Sequence, residues 1–402
     1  MTLFLISPTN IGASERVAVL LIYGAFFAYP LTAKVRSGDP GMRFITYRSP
    51  AARTLSILLI IQFIGISIAT AYYTGSDLFS AYSNALSGAN AYSEYQKHFA
   101  ESAIAEASLG SKATYILLLS LAKLLTIFFI ANFFLSAERN ASTTAGLLLA
   151  TAVYLGFGLA RGTFFEVFEL AVAYAFFWSM TSHTQALSGK IKGSKLYRFV
   201  LIAAPISLVF LFIANALRRY EDSTAFFSQC SPNFCYSGYG FPFAIDYPLY
   251  LLTVYFGNGA YFVSKLYEAT ILHGEWSYFL PLNSVLNSSG AEFGVRDFMC
   301  GTFVECRFVW TPEMVTIISI FGLAALPIIN WLFYLAIKFE RWVFRVPSIV
   351  KMMVLYLLVV FLLSLPVANF FLVSSSSIVS LAMLFGTLLL TGPKRQESAR
   401  RA

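Results

Sequence analysis

The chain has 402 residues, of which 58% are hydrophobic and only 12% charged, and its mean hydropathy is +0.69. A soluble domain carries about 25% charged residues, so the composition excludes an ordinary aqueous core and asks for a bilayer as solvent. The formal net charge of +8 comes from bases scattered through short loops with no nucleic-acid-reading module. It therefore marks membrane topology and anionic headgroups, with no nucleic acid as partner.

Apolar runs of roughly 17–25 residues can cross hydrocarbon. In chain order they are expected at 17–33, 55–73, 114–135, 144–160, 163–180, 199–216, 314–337, 350–372 and 378–391. Backbone in lipid must satisfy its own hydrogen bonds, which predicts an all-α, polytopic transmembrane helix bundle of about 9–10 spans. The first apolar patch, 3–6, is too short and lacks the basic flank of a cleavable signal peptide. The whole chain, 1–402, is thus expected to be a single integral membrane domain with two external elaborations.

Lys and Arg set the expected orientation. Segments 34–53, 181–198, 338–351 and 392–402 hold five, four, four and four of them, whereas 74–113 and 217–313 hold most of the acids. The positive-inside rule places the basic set in the cytoplasm. The N-terminus is then external and the C-terminus cytoplasmic.

The first external loop, 74–113, is rich in Ser, Ala, Tyr and Glu, and a surface helix is expected over 89–107. The second, 217–313, is large enough to imply a task. Within it, 246–267 carries five tyrosines and a Gly-Asn-Gly break. It is expected to be interfacial or re-entrant, where Tyr is favoured; a tenth span is the alternative. All four cysteines, Cys230, Cys235, Cys300 and Cys306, fall in this loop. An even count in an oxidising compartment points to disulfides, with three connectivities open and the local pairs Cys230–Cys235 and Cys300–Cys306 favoured.

The chemistry-bearing candidates are charges in or beside apolar runs. Arg161 lies between the fourth and fifth expected helices, beside Gly162. Glu166 and Glu169 follow at i and i+3, so they share one helix face. Burying such charges in lipid costs about 2.5–3.5 kcal/mol each on insertion scales, so they are expected to face a bundle interior or a water-filled cavity. Headgroup snorkelling by the Arg beside solvated acids is the plainer alternative. Arg218 and Arg219, followed by Glu221 and Asp222, occupy the matching external end of the sixth helix. Arginine forks bind phosphate oxygens in a bidentate manner, and two at one membrane face suit a lipid-linked diphosphate.

Lys123 sits mid-helix, with Glu166 or Glu169 as its expected partner. His98 and His273 are external candidates for a general base. Arg296 and Arg307 could add phosphate or sugar contacts. Trp276, Tyr278 and Trp310 could stack on sugar rings, although interfacial packing explains them equally well. The chain has no Walker motif, HExxH, GxSxG or dinucleotide fingerprint, so no cofactor is expected, and no metal where Arg supplies the positive charge.

Several short patches resemble a known family. They are Tyr73-Thr-Gly75, Gly88-Ala-Asn-Ala-Tyr92 leading into Tyr95-Gln96, Ala160-Arg-Gly162, Tyr255-Phe-Gly-Asn-Gly259 and Asn369-Phe-Phe371. In these and in helix layout the sequence resembles bacterial O-antigen and oligosaccharide repeat-unit polymerases (Wzy-type). That resemblance implies a GT-C-like membrane glycosyltransferase of the inner membrane. Its substrates would be undecaprenyl-diphosphate-linked oligosaccharides, with a chain-length regulator as a further partner. It also implies diphosphate contacts, carried to Arg161 and then to Arg218 and Arg219, and a catalytic base for which Glu166, Asp222 and His273 are the candidates. Substrate contacts would come from Arg219, Asp222, Lys123, Arg296 and Tyr255. The family's aspartate-glycine pattern before the late helices is replaced here by Phe293-Gly-Val-Arg-Asp-Phe298. A lipid-linked glycan transporter or flippase, and an O-antigen ligase, are the alternatives.

Overall fold

The computed structural model describes residues 12–32, 49–87, 91, 94–95, 97–98, 109–136, 140–163, 165–188, 210, 238–269, 274, 312–345, 348–367, 371–372 and 374–390. Among these residues there is no strand, and the regular structure is helical. The helices are α1 (Ala13–Phe26), α2 (Ala28–Thr32), α3 (Ala52–Thr74), α4 (Leu78–Ser87), α5 (Leu109–Leu135) and α6 (Ala141–Arg161). They continue as α7 (Phe165–Ser188), α8 (Phe243–Tyr267), α9 (Glu313–Phe321), α10 (Ala325–Arg345), α11 (Ile349–Ser364) and α12 (Ser375–Leu390).

Four segments, Ala52–Thr74, Ala113–Leu135, Ala141–Arg161 and Gly322–Arg345, are long and apolar enough to cross a membrane. At 1.5 Å per residue their 21–24 residues reach over about 30 Å of hydrocarbon. α11 and α12 are apolar but shorter, at 16 residues each. The side chains of α3 are sorted as lipid demands. Ile57, Ile60, Ile61, Ile64 and Ile68 are exposed along one face, while Gln62, Gly65 and Thr70 are buried on the other. An aqueous helix would show the reverse, so an all-α membrane protein is the class this pattern supports.

The chain forms two compact units. One comprises Pro40–Arg219, Arg341–Leu357 and Ser374–Ala402. Its central element is α5, against which α3, α6, α7 and α12 all pack. Phe129, Ile130, Ala131, Phe133 and Phe134 of α5 are buried there. Polar ties run between the helices. Gln62 Nε2 donates to Thr126 Oγ1 at 2.6 Å and to the Ala150 carbonyl at 3.0 Å, joining α3, α5 and α6. Ser380 Oγ donates to the Ser120 carbonyl at 3.2 Å, joining α12 to α5.

The other unit comprises Met1–Asp39, Tyr220–Glu340 and Leu358–Val373. Its core gathers Val19 and Tyr23 of α1, Phe262 and Val263 of α8, Met314 of α9, Ile329 of α10 and Leu365. Tyr23 Oη donates to the Pro366 carbonyl at 2.8 Å. A Cβ on Gly259 of α8 would strike the Val367 carbonyl oxygen and come within 2.8 Å of the Pro366 carbonyl oxygen. Only glycine lets α8 lie this close to the turn that follows α11.

Three expected apolar runs are subdivided. Run 17–33 breaks between α1 and α2 at Phe27. Run 314–337 contains a 3-10 segment, Gly322–Ala324, between α9 and α10. Run 350–372 leaves the helix at Ser364, because Pro366 lacks an N–H and disfavours helical backbone at Leu365. The stretch 246–267 lies within the 25-residue α8.

Gly259→Ala is expected to destabilise the protein by about 1–3 kcal/mol, since two backbone segments must separate. Gly24→Ala, where an added Cβ meets nothing within 4 Å, is the control and should leave stability unchanged or slightly higher. Thermal unfolding in detergent compares the two; equal losses would refute the close-approach argument.

Candidate functional site

The site lies in the unit built around α5 and begins where α6 ends. Gly162 adopts left-handed backbone (φ 58°, ψ 27°), which glycine takes without a Cβ penalty. Its N–H, together with that of Thr163, returns to carbonyls of the last turn of α6, including Gly158. The chain then reverses into α7, which starts at Phe165 and carries Glu166 in its first turn, where the helix dipole favours an acid. An added Cβ on Gly158 would lie 3.0 Å from Glu166 Cβ, so the two helix ends are pressed together.

Arg161 Nη2 donates to Glu166 Oε1 in an ion pair and to Thr163 Oγ1 at 3.2 Å. Thr163 Oγ1 in turn donates to Glu166 Oε2 at 2.7 Å. Both Glu166 oxygens are therefore engaged, and the carboxylate fixes the position of the Arg161 guanidinium. The guanidinium lies over two rings, with its carbon 4.6 Å from the Phe157 centroid and 5.6 Å from the Tyr95 centroid. Tyr73 meets Phe157 edge-on at 6.1 Å. The Arg161 Nε–H is buried with no hydrogen-bond partner, which leaves the guanidinium with unused donor capacity.

Beside this pair lies a second polar cluster. Glu169 receives Lys123 Nζ on Oε1 and Tyr154 Oη on Oε2, while Tyr356 Oη donates to its backbone carbonyl at 3.1 Å. Lys123 Nζ also donates to Ser377 Oγ at 2.7 Å and lies 5.5 Å from the Phe165 ring centroid. Five elements, α5, α6, α7, α11 and α12, thus meet around the Lys123–Glu169 pair. The four charges of the two pairs cancel, and the cluster is buried throughout.

An aromatic group borders the Arg161 side. Tyr72 stacks on Tyr115 at 3.7 Å and meets Tyr73 at 5.2 Å. His98 Nε2 lies 3.3 Å from the Tyr72 carbonyl oxygen, with its ring against Gly75.

Of the expected site residues, the structure brings together Arg161 and Glu166, and places Lys123 against Glu169. Arg218, Arg219, Asp222, His273, Arg296 and the side chain of Tyr255 lie outside the described residues, although the backbone of Tyr255 is within α8. Arg307, Trp276, Tyr278, Trp310 and all four cysteines also lie outside them. Tyr154, Tyr356 and Ser377 were not anticipated. Tyr154 stands seven residues before Arg161, two helical turns away, so periodicity could have found it; nothing local signals the other two. Among the described residues no three His, Cys, Asp or Glu side chains gather into a metal site. No family model, curated protein or solved structure matches the chain.

Lys123→Met strands a buried carboxylate and is expected to cost about 3–5 kcal/mol in thermal unfolding. Lys123→Met combined with Glu169→Gln removes both charges and should recover most of that loss. A double variant as unstable as the single one would contradict a charge-pair origin.

Proposed function

We propose that the protein is a membrane glycosyltransferase that polymerises lipid-linked oligosaccharide repeat units, with Arg161 at the diphosphate site. The observation supporting this reading is convergence. Three of the patches that carry the family resemblance, around Tyr73, Tyr95 and Arg161, are far apart in sequence, yet their side chains surround one guanidinium through Phe157. A cation held by a carboxylate on one side, bordered by rings, with a buried unpartnered N–H, suits an anionic headgroup next to a sugar.

In this mechanism the undecaprenyl diphosphate of the donor is the leaving group. An acceptor hydroxyl attacks the anomeric carbon, the bond to the diphosphate breaks, and a base takes the hydroxyl proton. Arg161 stabilises charge developing on the phosphate, a contribution worth about 10²–10³ in rate when one such donor is removed. Glu166 fixes the fork that makes the contact. Arg218, Arg219 and Arg296 belong to the same proposed phosphate set, His273 to the base, and Asp222 and Tyr255 to the acceptor side. The fold is proposed to be GT-C-like with nine or ten spans in a bacterial inner membrane. The N-terminus and the mouth at Arg161 would face the periplasm, and the C-terminus the cytoplasm.

A flippase or transporter of lipid-linked glycans is the second reading. Its specific support is Lys123–Glu169, a charge pair deep inside the bundle rather than at its rim.

Arg161→Ala should remove long polysaccharide from a chain-length ladder while the protein still accumulates in the membrane. Single repeats still attached to the lipid core would indicate a polymerase, complete loss of attached glycan a ligase, and repeat units trapped on the cytoplasmic leaflet a flippase. A normal ladder, or labelling of a cysteine beside Arg161 only from the cytoplasmic side, would overturn the assignment.

A further inference from the structure

Glu313 opens α9 and is completely buried. Its Oε1 accepts the backbone N–H groups of Phe371 at 2.7 Å and Leu372 at 2.6 Å, while Oε2 is buried with no partner at all. The next residue of α9, Met314, donates its N–H to the Leu365 carbonyl at 3.1 Å. An ionised carboxylate buried with one oxygen bare is costly, and such a group lowers its energy by taking a proton or a counter-ion.

Among the described residues no cation is hydrogen-bonded or ion-paired to Glu313. Segment 358–373, the Ala325–Phe333 stretch of α10 and the rest of α9 contain no titratable side chain. On α1, Tyr23 is committed to the Pro366 carbonyl. Glu15 of α1 pairs with Lys265 of α8, which also holds Glu268, so these charges close on one another. α1 also carries Arg16, and the remaining titratable groups on α8 are Asp246, which accepts the Tyr239 N–H, and five tyrosines, among them Tyr261 beside Lys265.

We propose that Glu313 is a proton-binding site, in which a proton on Oε2 allows Oε1 to anchor the turn at Phe371 and Leu372. Loss of that proton to solvent leaves a bare carboxylate and loosens the turn. Glu313 precedes the apolar run 314–337, and burial pushes its carboxyl up to about 7 against the two N–H groups, which pull it down. Because the folded value lies above the ordinary 4.5, the stability it contributes is complete below that pH. It is lost as pH rises through about 7. The proposal is independent of the transferase reading, since it concerns a different unit and a different group.

The test uses the full chain in nanodiscs. Infrared difference spectra between acidic and alkaline buffer should show a protonated-carboxyl band lost with a midpoint near neutral pH and missing in Glu313→Gln. Hydrogen exchange of the peptide containing Phe371 and Leu372, corrected for intrinsic base catalysis, should rise with pH in the wild type and stay low in Glu313→Gln, whose amide oxygen can still accept both N–H groups. Glu313→Asp, too short to reach both N–H groups, should retain a titrating band with a displaced midpoint, which covers the case in which the Gln variant fails to accumulate. A band that persists in Glu313→Gln, an unmoved midpoint in Glu313→Asp, or a midpoint that follows sodium or potassium concentration would overturn the proton assignment.

Discussion

Hydrocarbon offers no water to complete an unfinished hydrogen bond, and that constraint organises the side chains of this protein. On α3 the isoleucines point out while Gln62 and Thr70 point in. Thr70 donates to the carbonyl four residues earlier, within its own helix, whereas Gln62 spends its two N–H bonds on α5 and α6. A lysine in the middle of α5 is tolerated on the same terms: it finds a carboxylate, a hydroxyl and a ring among its neighbours. Hydrophobic burial alone would not choose between neighbouring apolar helices in lipid, because lipid tails are as apolar as leucine. These polar ties supply directional preferences that dispersion lacks.

Against that background the bonding at the Arg161 corner is incomplete, as it is at Glu313 Oε2. The Lys123–Glu169 cluster uses both acid oxygens and closes on itself, which suits a structural clasp. At Arg161 both acid oxygens are engaged, whereas the Nε–H of the cation has no partner. A left-handed glycine, an acid at the start of the next helix and a threonine between them fix the fork.

Much of this was legible in the sequence, for physical reasons that differ from case to case. Apolar length identified the helices around α3, α5 and α6, because hydrocarbon thickness sets a threshold that composition either meets or misses. The spacing of Glu166 and Glu169 after Arg161 marked the polar corner, since the residues are near one another along the chain, but the Arg161–Glu166 pair itself emerged only from the fold. Helix ends were less visible: an apolar run masks the interruption at Pro366 and the one near Gly322. Lys123 announced a buried partner, but choosing Glu169 over Glu166 required the packing of α7 on α5. Glu313 gave no local signal, because its contacts depend on a turn 58 residues later.

The two ion pairs also differ in the stretch of chain each must wait for. Arg161 and Glu166 are five residues apart and joined by a tight reversal, so they can neutralise each other as soon as one hairpin has left the ribosome. Lys123 meets Glu169 across 46 residues and Ser377 across 254. Its full set of partners therefore exists only after nearly the whole chain has been made. During synthesis the lysine of α5 is a solitary charge in an apolar segment, and its shelter in that interval must come from the insertion machinery or the headgroup layer.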